Sequence, residues 1–251
     1  MQVTIIGTGN VATVLGKLMY ANHYAIHQVY GRNIDAATAL ANQFNAQPVD
    51  NLTAVNNDAD IYIIAVSDKS IENVCNQIDL HNKLVLHTAG SVSMNVLKIA
   101  SNRYGVLYPI QSLRKEMDTS TPIPFLVDGS DIDTRMAIEI FAKTLSNKVE
   151  IGDDDKRLKL HTAAVFACNF VNFMYLQSAN FCEANDIDFS LMQALIEETA
   201  TRLRKHHPKD VFTGPAVRKD IATIEKHLQQ LSLNPTAKEL YKQISEMIMH
   251  H

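Results

Sequence analysis

The amino-acid sequence predicts an α/β fold in which a doubly wound, mostly parallel sheet is followed by a smaller all-helical domain. Short apolar runs alternate with helix-period segments from the first residues to about residue 151, as expected for a sheet with helices on both faces. Beyond that point only helical periods remain in the chain of 251 residues. We therefore expect two domains, residues 1–152 and residues 153–251.

The first strand and the turn after it carry the strongest functional signal. Residues 3–6 are mostly β-branched and apolar, and Gly7 to Ala12 follow the pattern G-x-G-x-x-A. In such a turn Gly9 lets a pyrophosphate approach the backbone at the positive end of a helix. A helix-period run after the turn favours this interpretation over a purely structural glycine turn. The predicted phosphate contacts of this Rossmann domain are Gly7, Thr8, Gly9, Asn10 and Val11.

The second predicted strand, residues 25–30, ends in Gly31, Arg32 and Asn33. An NAD-selective domain carries an acidic residue here, which binds the ribose 2′-hydroxyl. This sequence offers a cation and an amide instead, and a guanidinium suits the 2′-phosphate of NADP. Arg32 and Asn33 therefore predict NADP as cofactor, with a solvated loop arginine as the alternative. Asp35 is expected to cap a helix over residues 36–44.

The carboxyl ends of the later strands supply further candidates, because ligands of doubly wound sheets bind at that edge. These strands are predicted at residues 46–49, 60–66, 83–87, 105–108, 124–127 and 148–151. The candidate cofactor contacts are Val66, Ser67, Asp68, His87 and Gly90, with Ser91 beside them. Asp68 could equally cap the next helix, and His87 could equally be a buried histidine whose hydrogen bonds are satisfied.

The helical part begins with Asp153, Asp154 and Asp155, which are expected to cap its first helix rather than to bind a metal. Residues 162–176 are apolar almost all round, which predicts a buried helix. His161, Asn169 and Asn172 fall within an arc of about 80° if the helix is regular. This polar stripe either lines a catalytic cleft or forms an internal hydrogen-bond network.

The next helices are predicted at residues 189–206 and 237–249, with another opened by Pro215 after Gly214. A helix that begins at Pro215 would place Arg218 in its first turn, where a cation is unfavourable unless it binds an anion or pairs with Asp220. The position therefore favours a functional role for Arg218.

Composition narrows the class of protein. A formal net charge of −4 and an isoelectric point near 6.2 make nucleic acid an unexpected partner. Cys75, Cys168 and Cys182 form no C-x-x-C pair and are interpreted as reduced thiols of a cytoplasmic protein. The most apolar helix is too short to span a bilayer, and no signal peptide is recognised. We expect no membrane association.

These motifs resemble a family of two-domain, NADP-dependent oxidoreductase-like proteins whose C-terminal half is a domain of unknown function. The family is related to pyrroline-5-carboxylate reductase and to the alternative 2-dehydropantoate 2-reductases. The marks of the resemblance are residues 66–68, 87–91 and 108–112, His161 with Ala163, Ala164 and Asn169, and Gly214-Pro215 with Arg218 and Asp220. The resemblance implies a Rossmann domain, a helical domain and dimerisation through the helices.

The resemblance also implies hydride transfer between NADPH and a small carbonyl or imine compound. The wider dehydrogenase group uses a lysine four residues before the helix asparagine, where this chain has Val165. We therefore expect His161 to act as the acid, Asn169 to hold the carbonyl oxygen and Arg218 to clamp a substrate carboxylate. A keto acid such as 2-dehydropantoate is the expected substrate. The alternative is a non-catalytic NADP-binding regulator or scaffold.

Overall fold

The computed structural model describes residues 1–118 and 120–251. Within these ranges, eight strands form one sheet in the order β3-β2-β1-β4-β5-β6-β7-β8. The strands are β1 Gln2–Ile6, β2 Ala25–Tyr30, β3 Gln47–Val49, β4 Ile61–Ile64, β5 Leu84–His87, β6 Arg103–Pro109, β7 Phe125–Gly129 and β8 Val149–Ile151. Neighbouring strands are parallel except for the antiparallel pair β6 and β7. The predicted doubly wound, mostly parallel sheet is confirmed.

Helices alternate with these strands and then follow them. Those of the sheet region are α1 Asn10–Ala21, α2 Ile34–Ala41, α3 Asp68–Cys75 and α4 Ile132–Leu145. Those after the sheet are α5 Asp154–Ala164, α6 Val171–Ala184, α7 Gln193–Arg202, α8 Ile221–Gln230 and α9 Pro235–Met249. No helix in the described ranges combines the length and apolarity needed to cross a membrane.

The core lies on both faces of the sheet. Along β4, Ile61 and Ile63 belong to one apolar cluster, while Tyr62 and Ile64 belong to another. Successive residues of a strand point to opposite faces, so a strand covered on both sides is apolar throughout. This explains the nearly continuous apolar run that the sequence shows at this strand.

The chain divides into two compact units, Met1–Asn169 and Phe170–His251. The last strand ends at Ile151, next to the predicted boundary, but α5 belongs to the first unit. Its Leu160 packs against the apolar cluster formed by β6 and β7. Because α5 packs on the sheet in this way, the boundary between the two compact units lies beyond residue 152. Whether residues 1–152 and 153–251 act as functional domains stays a prediction.

Several local expectations are corrected. Asn33, not Asp35, caps α2, because its Oδ1 accepts a bond from the Ala36 N–H at 2.9 Å. α8 begins at Ile221 rather than at Pro215, and Arg218 lies in the turn before it. The dipole argument for Arg218 is therefore wrong.

The helix predicted over residues 162–176 is also irregular and exposed. Residues 165–170 form a π-helical segment between α5 and α6, so the constant rotation assumed for the polar stripe does not hold there. Phe166 and Phe173 are exposed rather than buried. The Asp153 cap is confirmed, since its side chain accepts a bond from the Lys156 N–H at 2.8 Å.

Candidate functional site

The turn after β1 contains two glycines, and a glycine is needed at each position for a different reason. Gly7 has a φ of +131°, and a Cβ there would lie 2.2 Å from the carbonyl oxygen of Ala65. Gly7 is therefore required by the fold. A Cβ at Gly9 would meet no protein atom within 4 Å. Gly9 therefore leaves an open face at the start of α1, where a phosphate group can reach the backbone.

A cavity of about 350 Å³ opens beside this turn. It is lined by Gly7, Thr8, Gly9, Asn10 and Val11, by Tyr30, Gly31 and Arg32 after β2, by Leu52, by Ala65, Val66 and Ser67 after β4, and by Ser70, Asn73 and Val74 of α3. No carboxylate is among these residues. The cleft is therefore suited to an anionic ligand whose phosphates meet N–H groups at the N-terminus of α1.

Arg32 is the cation of this cleft. Its side chain is exposed, and it forms no ion pair with any carboxylate in the described part of the chain. A guanidinium without a protein partner can bind a phosphate without first breaking an internal bond. This arrangement fits the 2′-phosphate of NADP.

Four other predicted cofactor contacts do not line the cleft. Asn33 is engaged as the cap of α2, and Asp68 accepts a hydrogen bond from the Ser91 hydroxyl at 2.5 Å. Gly90 lies against the ring of His161. Their roles in cofactor binding stay predictions, since each has a local structural role.

The fourth residue, His87, is completely buried at the end of β5. Its Nδ1 accepts a hydrogen bond from the Ala89 N–H at 3.1 Å, so the neutral ring carries its proton on Nε2. Nε2 finds no hydrogen-bond partner in the described residues. Burial, assisted by the charge of Arg157, lowers the pKa of His87 to about 4. His87 is therefore neutral near pH 7.

A tyrosine and a histidine meet at the same edge of the sheet. The Tyr108 hydroxyl, at the end of β6, lies 3.0 Å from Nδ1 of His161 on α5. Their rings are nearly perpendicular, with centroids 6.0 Å apart. Burial raises the pKa of Tyr108, while the positive charge of Arg157 opposes that effect. A Cβ at Gly90 would lie 2.7 Å from Cγ of His161, so this ring requires a glycine beneath it.

Comparison of the sequence and the structure with known proteins identifies the family of this chain. Residues 2–90 match the family described as NADP oxidoreductase coenzyme F420-dependent, and residues 123–248 match a domain of unknown function (DUF2520). The structure of a candidate NADP oxidoreductase from Bacteroides fragilis is 36% identical, covers 100% of this chain and 98% of its own, and superposes with a TM-score of 0.93. The chain belongs to this family of NADP oxidoreductases.

More distant structures share the fold of this NADP oxidoreductase. A reductive aminase from Aspergillus terreus, in complex with NADPH and ethyl-5-oxohexanoate, is 15% identical over 99% of this chain and 92% of its own, with a TM-score of 0.71. A 1-pyrroline-5-carboxylate reductase from Streptococcus pyogenes is 13% identical over 100% of this chain and 99% of its own, with a TM-score of 0.69. Among curated proteins none matches this chain.

NADP is the cofactor that the description of this family names. The open face of Gly9 and a cleft lined by Arg32 and by no carboxylate fit that group. Within the described residues, no cluster of three His, Cys, Asp or Glu side chains is placed to hold a metal ion.

The remaining predicted site residues belong neither to the lining of the cofactor cleft nor to the pair of Tyr108 and His161. Asn169 is exposed within the π-helical segment, and Arg218 is exposed in the turn before α8. Their catalytic roles stay predictions. In the sequence Tyr108 stood out only as part of the motif of residues 108–112, and its pairing with His161 was not predicted. Its position at the carboxyl end of a strand was the available signal, since the other candidate residues lie at that edge too.

Proposed function

We propose that this NADP oxidoreductase transfers a hydride from NADPH to a small ketone or imine and that His161 supplies the proton. The hydrogen bond between the Tyr108 hydroxyl and His161 Nδ1, at 3.0 Å, carries the proposal. A tyrosine hydroxyl is protonated at neutral pH, and burial raises the pKa of Tyr108 further, so it can donate to Nδ1. In the neutral ring this places the remaining proton on Nε2.

Bound NADPH supplies the hydride, and the chain must orient the substrate and protonate it. His161 Nε2–H donates its proton to the carbonyl oxygen or imine nitrogen as negative charge develops there, while the Tyr108 hydroxyl proton passes to Nδ1, so that the ring stays neutral. Solvent then returns a proton to the Tyr108 oxygen. We assign Asn169 to the substrate oxygen and Arg218 to a substrate carboxylate, because an amide and a guanidinium recognise those groups.

The substrate class is proposed from chemistry shared by the structural neighbours. The reductive aminase binds a ketone together with NADPH, and the pyrroline-5-carboxylate reductase is named for an imine substrate. Cyclic imines and keto acids, including 2-dehydropantoate, therefore form the panel to be tested.

The test follows NADPH absorbance with each compound of this panel, for the wild type and for His161→Gln. Wild-type turnover that His161→Gln lowers at least tenfold, with NADPH binding unchanged, supports the proposal. Full activity in His161→Gln refutes the assignment of the acid. NADPH binding without consumption by any compound would favour a non-catalytic NADP-binding regulator or scaffold.

We propose further that the protein is a homodimer located in the cytoplasm. In residues 170–251, all of them described, only Cys182, Ala216, Ile224 and Ser245 are buried. Four buried residues do not make a core, because a small domain must bury about 60% of the surface of its chain. A second copy can supply the missing cover.

The helical unit presents apolar surface suited to such a partner. Phe173, Leu176 and Leu195 are each about half exposed or more, and an apolar groove of about 720 Å³ runs between α6, α8 and α9. Light scattering during size-exclusion chromatography tests the proposal with Phe173→Glu. Leu233→Glu is the control, since Leu233 is exposed in a loop. A wild-type monomer refutes the dimer, and a dimer that only Phe173→Glu dissociates supports it.

A further inference from the structure

Arg157 on α5 is a buried cation with few partners. Its side chain is 1% exposed, and its Nη2 donates to the carbonyl oxygen of Val92 and to Asp154 Oδ1, the latter at 2.8 Å. Nε and Nη1 have no hydrogen-bond partner among the described residues. Burial of a guanidinium costs free energy that such incomplete pairing does not fully offset. Stability alone therefore does not account for this residue.

Arg157 and its neighbour fasten one segment, residues 90–94, which we call the Gly90 loop. Arg157 holds the loop at Val92, and Asp154 accepts a bond from the Met94 N–H at 3.3 Å. On the other side, Ser91 bonds to Asp68 at the start of α3. Burial alone would raise the pKa of Asp154, but hydrogen bonds from Ser93 and Arg157 hold it below its usual range. Asp154 is therefore an anion that keeps this attachment.

The Gly90 loop is in direct contact with the proposed acid. The position of a Cβ at Gly90 lies 2.7 Å from Cγ and Nδ1 of His161. Arg157 and His161 are four residues apart, on the same face of α5. Because the ring rests on the loop and the loop is held by Arg157, a shift of the loop must move the ring relative to Tyr108.

We propose that Arg157 is a positioning residue for His161. Its guanidinium fixes the Gly90 loop, and the loop holds the imidazole in the orientation in which Nδ1 meets the Tyr108 hydroxyl. This inference rests on the proposed function, in which His161 donates from Nε2. Loss of Arg157 is expected to lower kcat about 10- to 100-fold, the effect of a small misplacement of a catalytic group. The dissociation constant of NADPH is expected to change much less than kcat, because neither Arg157 nor Asp154 lines the cofactor cleft.

The direct readout is the tautomer of His161, measured without substrate by long-range proton–nitrogen NMR correlations of the imidazole rings. The His161 signals are assigned from their loss in His161→Gln. Wild-type protein should show a protonated Nε2 and an unprotonated Nδ1. Arg157→Met should shift the ring toward a mixture of tautomers, and Arg157→Lys, which can still reach one acceptor, should shift it less.

Lys159→Met is the matched control, because Lys159 lies on the same helix in an exposed ion pair with Asp155. Unchanged His161 signals in both Arg157 variants would overturn the proposal, whatever their thermal stability. Should Arg157→Met fail to fold, the comparison of Arg157→Lys with Lys159→Met decides. A tautomer shift in a protein that reduces no compound would refute the proposed reaction while leaving the positioning role intact.

Discussion

The two glycines of the turn after β1 should respond in opposite ways to substitution by alanine. Gly7→Ala places a Cβ 2.2 Å from the Ala65 carbonyl oxygen at a φ of +131°. Backbone strain and overpacking each cost about 1–3 kcal/mol, so the free energy of unfolding should decrease by about 2–6 kcal/mol. At about 2–4 °C per kcal/mol, the Tm should fall by roughly 4–24 °C.

Gly9→Ala should instead fold normally and lose its cofactor. The new Cβ meets no protein atom within 4 Å. Alanine is a poorer N-cap of α1 than glycine, which lowers the free energy of unfolding by about 1 kcal/mol or less. Alanine also reduces the conformational entropy of the unfolded chain, which offsets about 0.4–1 kcal/mol of that loss. The Tm without ligand should therefore stay within about 4 °C of the wild type. The methyl group occupies the face where we place the pyrophosphate, so the affinity for NADPH should fall.

Thermal unfolding with and without NADPH measures both effects. NADPH at about 100 times its dissociation constant stabilises the wild type by about 2.7 kcal/mol, a rise in Tm of roughly 5–10 °C. Gly9→Ala should lose most of this rise at the same concentration. A full rise in Gly9→Ala would refute the placement of the phosphates, and an unchanged Tm in Gly7→Ala would refute the strain assigned to the turn.

Three further outcomes are expected. Arg32→Ala should weaken NADPH binding about 10- to 100-fold, the worth of a charged hydrogen-bond pair, and leave NADH binding nearly unchanged in parallel titrations; equal losses would contradict the 2′-phosphate contact. Because the pKa of His87 falls from its ordinary 6.5 to about 4 on folding, stability should be full above pH 6.5 and decrease by about 3 kcal/mol as the pH falls to 4. Urea unfolding should show a shallower decrease over that window for His87→Gln, and identical slopes would argue against the buried neutral ring. Tyr108→Phe should lower kcat and shift its pH dependence without changing the NADPH dissociation constant, and an unaltered pH profile would exclude the hydroxyl from the acid.

The local elements were predictable because each depends on residues that are neighbours in the chain. The apolar run of β4, the G-x-G-x-x-A turn and the Asp153 cap act through short-range geometry that a sequence displays directly. Most of the residues that line the cleft beside this turn were also predictable as neighbours, since the carboxyl ends of parallel strands must meet at one edge. Arg32 is one of them, and its contact with the cofactor stays a prediction.

Contacts between distant residues were not predictable, because periodicity does not identify a partner. Tyr108 and His161 are 53 positions apart, and their hydrogen bond depends on how α5 lies against β6. The sequence indicated Gly90 as a candidate cofactor contact, whereas the structure places the ring of His161 against it.

The apolar helix after His161 shows the same limit. Its composition indicates that the surface must be covered, but not whether the same chain or a second copy covers it, and its side chains are exposed in the single chain. The sequence by itself determined the order of strands and helices, the glycine turn and the cation beside it, because these follow from local conformational preference and amphipathic period. Only the tertiary structure decided which side chains meet, because burial of Arg157 and pairing of His161 depend on packing between segments far apart in the chain.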